Sequence, residues 1–184
     1  MARTLRVGLI GYRFMGKAHS NAWRQAPRFF HLKANVELHT ICGRNAAGVQ
    51  AARAQFGWQK AATDWREVVE SPLIDLVDIV TPTNCHAEMA IAAAQNGKHV
   101  LCEKPLALNV KQAGAMLAAA QKAKVIHMVC HNYRRIPAIA LAKRGMSATL
   151  LSIRATIVRL QVAISCSTRA ARTCRASSSP REPI

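Results

Sequence analysis

The chain has 184 residues, a formal net charge of +17 at pH 7, and 51% hydrophobic residues. This length allows one domain with a full hydrophobic core but not two. No run approaches the roughly 18 consecutive apolar residues of a membrane span, and the first residues lead into a strand without a signal sequence. We therefore expect one main domain, located in the cytoplasm, with no membrane partner.

The positive charge is unevenly distributed along the chain. No acidic residue occurs between Lys104 and Pro180, so the excess of basic residues belongs to the second half. A strongly basic protein often binds nucleic acid. Here no aromatic interleaving or recognition motif accompanies the charge, so nonspecific nucleic-acid binding through the C-terminal residues is the weakest alternative. No specific nucleic-acid partner is expected.

Strand and helix signals alternate through the first three quarters of the chain. Short apolar strands are predicted at residues 5–10, 36–42, 76–80, 98–102 and 125–130. The predicted helices cover residues 16–28, 45–56, 65–70, 84–96 and 109–123, and a further helix starts at residue 136. Strands that alternate with helices in this way are typical of a parallel sheet covered on both faces. The predicted fold over residues 1–144 is an α/β domain with a doubly wound parallel sheet.

Residues 145–184 differ in composition from the rest of the chain. They are rich in arginine and serine, and no lysine follows Lys143. The last twenty or so residues contain too few apolar side chains to order themselves around a core. We expect a poorly ordered basic tail here rather than a second folded domain.

A glycine-containing turn follows the first predicted strand and leads into the first helix. Gly11 and Gly16 occupy the first and third glycine positions of a GxGxxG dinucleotide fingerprint, whereas Arg13 occupies the second. The first glycine permits a tight turn, the second lets the backbone approach a pyrophosphate, and the third packs helix against strand. Arg13 should crowd the phosphates or displace the loop, although its charge can contact them. An ordinary strand–helix turn is the alternative.

The end of the second predicted strand lacks the acidic residue that binds an adenosine ribose. Gly43 and Arg44 stand there instead. An acid would accept hydrogen bonds from the ribose hydroxyls, whereas an arginine can pair with a 2′-phosphate. The pattern favours NADP over NAD, and a solvated arginine at a helix start is the alternative.

Two later strand ends carry further candidates. His86 follows the third predicted strand, and it either faces a ligand crevice or bonds to the backbone at a helix start. Glu103, Lys104 and Pro105 follow the fourth predicted strand. Pro105 restrains the backbone after Lys104, whose ammonium group can then hydrogen-bond a substrate hydroxyl and take part in proton transfer. A surface ion pair of Glu103 with Lys104 is the alternative.

The cysteines do not indicate a metal site. None of the six has CxxC spacing, so we expect no metal. Cys42, Cys102 and Cys130 fall near the ends of predicted strands and are expected to be small buried thiols.

Several stretches together resemble the Gfo/Idh/MocA family, which is named after glucose–fructose oxidoreductase and inositol dehydrogenase. They are residues 11–23, 80–86 and 97–107, and residues 131–137 are similar to the family's segment after the fifth strand. The resemblance extends over residues 5–144. It implies a Rossmann domain, a second α/β domain that binds substrate, and reversible hydride transfer between NAD or NADP and a sugar- or polyol-type alcohol.

The resemblance also implies roles for individual residues. Lys104 would be catalytic. The implied cofactor-binding residues are Gly11, Tyr12, Arg13, Phe14, Met15, Gly16, Arg44, Thr81, Pro82, Asn84, His86, Glu103, Lys104 and Asn132. Arg13 departs from the family pattern, which usually has glycine at that position.

No Asp or His motif of the family's substrate domain is found after residue 144. A frameshift near codon 144, which would replace that domain by an unselected tail, is one hypothesis for this difference. Two functions therefore stay open: an oxidoreductase, and a catalytically inactive nucleotide-binding remnant. Without the second domain, a family-type oligomer is not expected.

Overall fold

The computed structural model describes residues 3–143, of which residues 3–131 belong to a first unit and residues 132–143 to a second. The tail predicted at residues 145–184 lies outside the described residues. The strands of the first unit are β1 (Arg3–Ile10), β2 (Ala34–Cys42), β3 (Lys60–Ala62), β4 (Leu76–Ile79), β5 (His99–Glu103) and β6 (His127–Cys130). Its helices are α1 (Phe14–Phe29), α2 (Ala46–Phe56), α3 (Arg66–Glu70), α4 (His86–Gln95) and α5 (Val110–Ala123). The described part of the second unit contains a 3-10 turn (Asn132–Arg135) and α6 (Pro137–Lys143).

The six strands form one parallel sheet in the order β3-β2-β1-β4-β5-β6. Strands β2 and β3 follow one another outward on one side of β1, and β4, β5 and β6 follow one another outward on its other side. The strand order therefore reverses between β1 and β4, which is where ligands bind in doubly wound sheets. The predicted doubly wound parallel sheet is confirmed.

The hydrophobic core lies on both faces of the sheet, because successive residues of a strand point to opposite faces. Val7 and Leu9 of β1 pack on one face with Ile41 and Trp58. Ile10 packs on the other face in a cluster that includes residues from α3, α4 and α5. Burying a side chain of this size stabilises the fold by roughly 1.5–3 kcal/mol, so the two layers hold the central strands firmly.

The helix starts follow the sequence signals closely. The side chain of Asn45 accepts a hydrogen bond from Gly48 N at 2.7 Å, and that of Asn109 accepts one from Gln112 N at 2.9 Å. Both asparagines therefore cap their helices as predicted. The prediction for α1 was wrong by two residues, because the helix begins at Phe14 rather than at Gly16. In the described part of the chain, we find no helix with the length and apolar character needed to cross a membrane.

Gly114 offers a test of the local helix energetics. It lies exposed within α5, and a Cβ atom built there would meet nothing within 4 Å. Gly114→Ala should therefore stabilise the chain by about 0.5–1 kcal/mol, through the higher helix propensity of alanine. Urea unfolding measures the change. Gly57→Ala is the matched control, because Gly57 also has open space around it but has a φ of +73°. This change should lower the free energy of unfolding. Equal effects of the two changes would contradict the prediction.

Candidate functional site

Three strands of the sheet end side by side where the strand order reverses. Doubly wound sheets bind ligands at this place, and we call this edge of the sheet the crevice. Gly11 follows β1 and Lys104 follows β5, while β4 lies between them and pairs with both. Neighbouring strands lie about 4.8 Å apart, so the ends of β1 and β5 are separated by about 10 Å. The glycine turn and the lysine therefore share one edge of the sheet.

The turn after β1 is shaped by its two glycines. Gly11 has a φ of +111°, which side-chain-bearing residues rarely adopt, and its amide donates to the carbonyl of Cys42 at 2.9 Å. A Cβ atom on Gly16 would lie 2.2 Å from the carbonyl oxygen of Gly11. Helix α1 thus starts in close contact with the turn, which brings its first amides to the crevice.

The start of α1 is electropositive and has no side-chain cap. Arg13 is the N-cap residue, but it makes no side-chain cap hydrogen bond, and the first turn contains no acidic residue. The exposed Phe14 and the half-buried Met15 belong to this first turn. Free amide groups at a helix start, together with the helix dipole, attract anions such as phosphate.

Tyr12 packs over the turn that follows β2. A Cβ atom on Gly43 would come within 2.2 Å of the Tyr12 ring, and one on Gly48 would come within 2.5 Å of its hydroxyl oxygen. The two glycines therefore make room for the tyrosine, an arrangement that the sequence analysis did not predict. Arg44 lies exposed in the same turn.

His86 bonds to the backbone, which is the second of the two alternatives left open by the sequence. Its side chain is 1% exposed; Nδ1 lies 3.0 Å from the carbonyl oxygen of Pro105, and Nε2 lies 2.9 Å from that of Thr81. Both partners are carbonyl oxygens, so a ring nitrogen is the donor in each bond. The imidazole ties the loop after β4 to the loop after β5, while Pro82 and Asn84 lie exposed in the first of these loops.

Glu103 is turned toward the protein interior. Its residue is 6% exposed, its Oε1 lies 3.1 Å from Nε2 of His19, and its Oε2 accepts a hydrogen bond from the Lys104 amide at 2.8 Å. The alternative of a surface ion pair between the two side chains is wrong. Lys104 is exposed, and the peptide bond to Pro105 is cis.

A buried polar cluster that the sequence analysis missed lies behind these two residues. His19 Nδ1 contacts Asp78 Oδ2 at 2.9 Å, and the indole of Trp23 donates to the same oxygen at 2.7 Å. Burial opposes the charged form of His19, but the hydrogen bonds and charges of Asp78 and then Glu103 outweigh it and raise the pKa of the histidine. The available signal was Asp78 itself, because a charge inside an apolar parallel strand needs a partner.

Cys130 contacts the same cluster. Its Sγ lies 3.9 Å from His19 Nε2, and burial together with Glu103 raises the pKa of the thiol to about 11. His19, Glu103 and Cys130 bring nitrogen, oxygen and sulfur atoms within 4.8 Å of one another, a grouping that sequence spacing could not reveal. His19 Nε2 contacts both Glu103 Oε1 and Cys130 Sγ directly. The expectation that the chain binds no metal stays a prediction. Cys42 and Cys102 are buried as expected, with the pKa of each thiol raised to about 12 by burial. Cys130 is only half-buried, so the expectation of a fully buried thiol was wrong there.

Asn132 lies in the second unit, in the 3-10 turn that opens it. Its contact with a cofactor stays a prediction.

Comparison with known proteins decides the family. Residues 5–131 match the GFO_IDH_MocA family, described as "Oxidoreductase family, NAD-binding Rossmann fold". The chain belongs to this family. Its first unit is therefore an NAD-binding Rossmann domain of the oxidoreductase type.

Individual relatives agree with this assignment. The chain is 43% identical over 162 residues to levoglucosan dehydrogenase from Pseudarthrobacter phenanthrenivorans, a match that covers 85% of this chain and 42% of that protein. A solved oxidoreductase domain protein from Kribbella flavida is 54% identical, with a TM-score of 0.74 over 78% of this chain and 38% of that one. A structure of levoglucosan dehydrogenase with NADH and levoglucosan is 46% identical, with a TM-score of 0.74 over 77% of this chain and 39% of that one. The chain thus spans about two fifths of the length of these relatives.

Proposed function

We propose that the crevice binds a nicotinamide dinucleotide, and that Lys104 acts on a sugar- or polyol-type alcohol during reversible hydride transfer. The observation that carries the proposal is the placement of the Gly11 turn and Lys104 at the same edge of the sheet, on either side of β4. The levoglucosan dehydrogenase structure contains NADH and levoglucosan, which supports the same ligand classes here.

The start of α1 fits the pyrophosphate of such a cofactor. Gly16 leaves no room for a Cβ atom beside Gly11, so the helix start and the turn are in contact. The uncapped amides of the first turn, with Arg13 and Lys17 close by in the sequence, supply donors and positive charge. In our proposal Tyr12, Phe14 and Met15 line the loop around the phosphates.

The turn after β2 fits the adenosine end of the cofactor. Tyr12 packs on Gly43 and Gly48 there, and Arg44 is exposed in the same turn. The turn offers a guanidinium group and no carboxylate, so we propose that it accepts the 2′-phosphate of NADP and prefers NADP over NAD.

The cofactor preference is tested by fluorescence titration with NADPH and with NADH. Arg44→Ala should weaken NADPH binding by about tenfold or more, because a charge-assisted hydrogen bond contributes roughly 1.5–3 kcal/mol, and should leave NADH binding almost unchanged. Arg53→Ala is the control, since Arg53 lies near the other end of α2. Tighter binding of NADH than of NADPH by the unaltered chain would contradict the preference.

The nicotinamide end belongs with the loops after β4 and β5. When bound, the cofactor supplies the hydride acceptor or donor. Thr81, Pro82 and Asn84 would line this end, and His86 would hold the two loops in register through its two carbonyl bonds. Lys104 would donate a hydrogen bond to the substrate hydroxyl and help to transfer its proton, while Glu103 fixes the lysine's backbone amide.

Catalysis is tested by following reduced nicotinamide absorbance with a panel of sugars, anhydrosugars and polyols. We expect oxidation of at least one alcohol, abolished in Lys104→Met with cofactor binding retained. Binding without turnover of any alcohol would favour the nucleotide-binding remnant, and no binding of either dinucleotide would overturn the proposal.

We expect no specific nucleic-acid partner for this chain. The free thiols of Cys42, Cys85, Cys102 and Cys130 agree with a reducing compartment such as the cytoplasm.

A further inference from the structure

We propose that His19 is a positioning residue: held between two buried carboxylates on neighbouring strands, it fixes the backbone at Lys104 relative to the helix that opens the dinucleotide loop. This inference rests on the proposed function only for the ligand that the crevice binds. The clamp itself, defined as His19, Asp78 and Glu103, is a property of the described fold.

The clamp joins three elements through one ring. His19 lies on α1, one turn after Gly16, and its residue is 8% exposed. Its Nδ1 lies 2.9 Å from Asp78 Oδ2 on β4, and its Nε2 lies 3.1 Å from Glu103 Oε1 on β5. A neutral imidazole can donate from only one nitrogen, so the ring donates to two ionised carboxylates only when it is doubly protonated.

Glu103 carries the clamp to the site. One carboxylate oxygen faces His19, and the other accepts the Lys104 amide hydrogen at 2.8 Å. Asp78 is held from the other side by the indole of Trp23. The contacts therefore connect α1 with β4, with β5 and with the backbone of Lys104, the residue that we place on the substrate hydroxyl.

Three titratable groups face the His19 ring. Asp78 and Glu103 favour its charged form, while Cys130 approaches at 3.9 Å as a neutral thiol. The charge of the clamp is thus set by the protonation of His19. Deprotonation would leave one of the two carboxylates facing a ring nitrogen that carries no hydrogen, and the Glu103 side chain, which accepts the Lys104 amide hydrogen, would lose its fixed orientation.

Nuclear magnetic resonance of the full ¹⁵N-labelled chain tests the clamp without any ligand. We expect both ring nitrogens of His19 to be protonated at pH 6, and the Lys104 amide resonance to titrate with the same midpoint as His19. A neutral His19 at pH 6, or a Lys104 amide that does not follow its titration, would overturn the proposal. A merely structural histidine would not produce the shared midpoint.

Substitutions separate positioning from general stability. His19→Gln should lower the protection of the Lys104 amide from hydrogen exchange by about tenfold, whereas His39→Gln, at a buried histidine of β2 bonded to Thr40, should not. If His19→Gln does not fold, Glu103→Gln serves instead: it keeps an acceptor, removes one charge and should lower the midpoint of His19. An unchanged midpoint in Glu103→Gln would contradict the clamp.

Two ligand measurements complete the test. NADH titration of His19→Gln should show binding weakened by severalfold relative to His39→Gln. Failure of the unaltered chain to bind NADH or NADPH refutes the proposed function, while the amide titration still decides the clamp. Thermal stabilisation by added Zn²⁺ that is lost in Cys130→Ser would show that His19, Glu103 and Cys130 bind a metal, and would overturn the proposal.

Discussion

Gly16→Ala should weaken dinucleotide binding by at least about tenfold and lower the free energy of unfolding by roughly 1–3 kcal/mol, the range typical of overpacking. The added methyl group would lie 2.2 Å from the carbonyl oxygen of Gly11 and 2.8 Å from its carbonyl carbon. These are backbone atoms, so no side chain can turn aside to make space. The turn or the helix start must move, and the amides that face the phosphates move with it.

Fluorescence titration with NADH and NADPH, together with urea unfolding, measures both effects. Gly114→Ala is the matched control, because it adds the same methyl group to a helix where nothing lies within 4 Å. Binding and stability of Gly16→Ala equal to those of the unaltered chain would show that the turn does not need this close contact.

The sequence predicted the order of the elements well because their signals are local. Asn45 and Asn109 are each followed by a helix that they cap, and apolar runs mark the central strands. Strand β3 was missed because its three residues are too few to show a period. The early start of α1 was missed because Arg13 and Phe14 give no capping signal.

The site was predicted only in part because its decisive contacts join distant residues. Position after a strand was enough to select Gly11, Gly16 and Lys104. His19 pairs with Asp78, 59 residues away, and with Glu103, 84 residues away, and no local pattern records such contacts. Asp78 inside an apolar strand was the one sequence feature that required a buried partner.

His86 and Glu103 show the same limit in another way. For each residue the sequence left two interpretations open, and the choice depended on how the loops after β4 and β5 approach one another. His86 contacts the backbone carbonyls of both Thr81 and Pro105, so its ring holds the two loops next to one another. A catalytic role for Lys104 therefore depends on a backbone geometry that becomes visible only in three dimensions.

Asp78→Ala should cost roughly 3–5 kcal/mol of stability, the typical loss when one partner of a buried ion pair is removed. Asp78 is 0% exposed and accepts hydrogen bonds from both His19 and Trp23. Its removal leaves the indole N–H and one imidazole N–H without an acceptor in a buried site. Urea unfolding measures the loss. Asp75→Ala is the control, because Asp75 lies before the same strand in a half-exposed ion pair with Arg6, and its loss should be much smaller.

The pH dependence of the unfolding free energy distinguishes the contribution of the Asp78 charge from the contribution of its packing. The folded pKa of His19 is raised, so its contribution is fully present below about pH 6.5, the pKa of an unperturbed histidine, and is lost as the pH rises through the folded value. Asp78→Asn keeps the size of the side chain but removes the charge that raises this pKa. The difference in unfolding free energy between the unaltered chain and Asp78→Asn should therefore be largest near pH 6 and should shrink as the pH rises through the folded pKa of His19. A difference that stays constant across this interval would mean that Asp78 acts through packing alone, and that His19 is not held as a cation by its carboxylate.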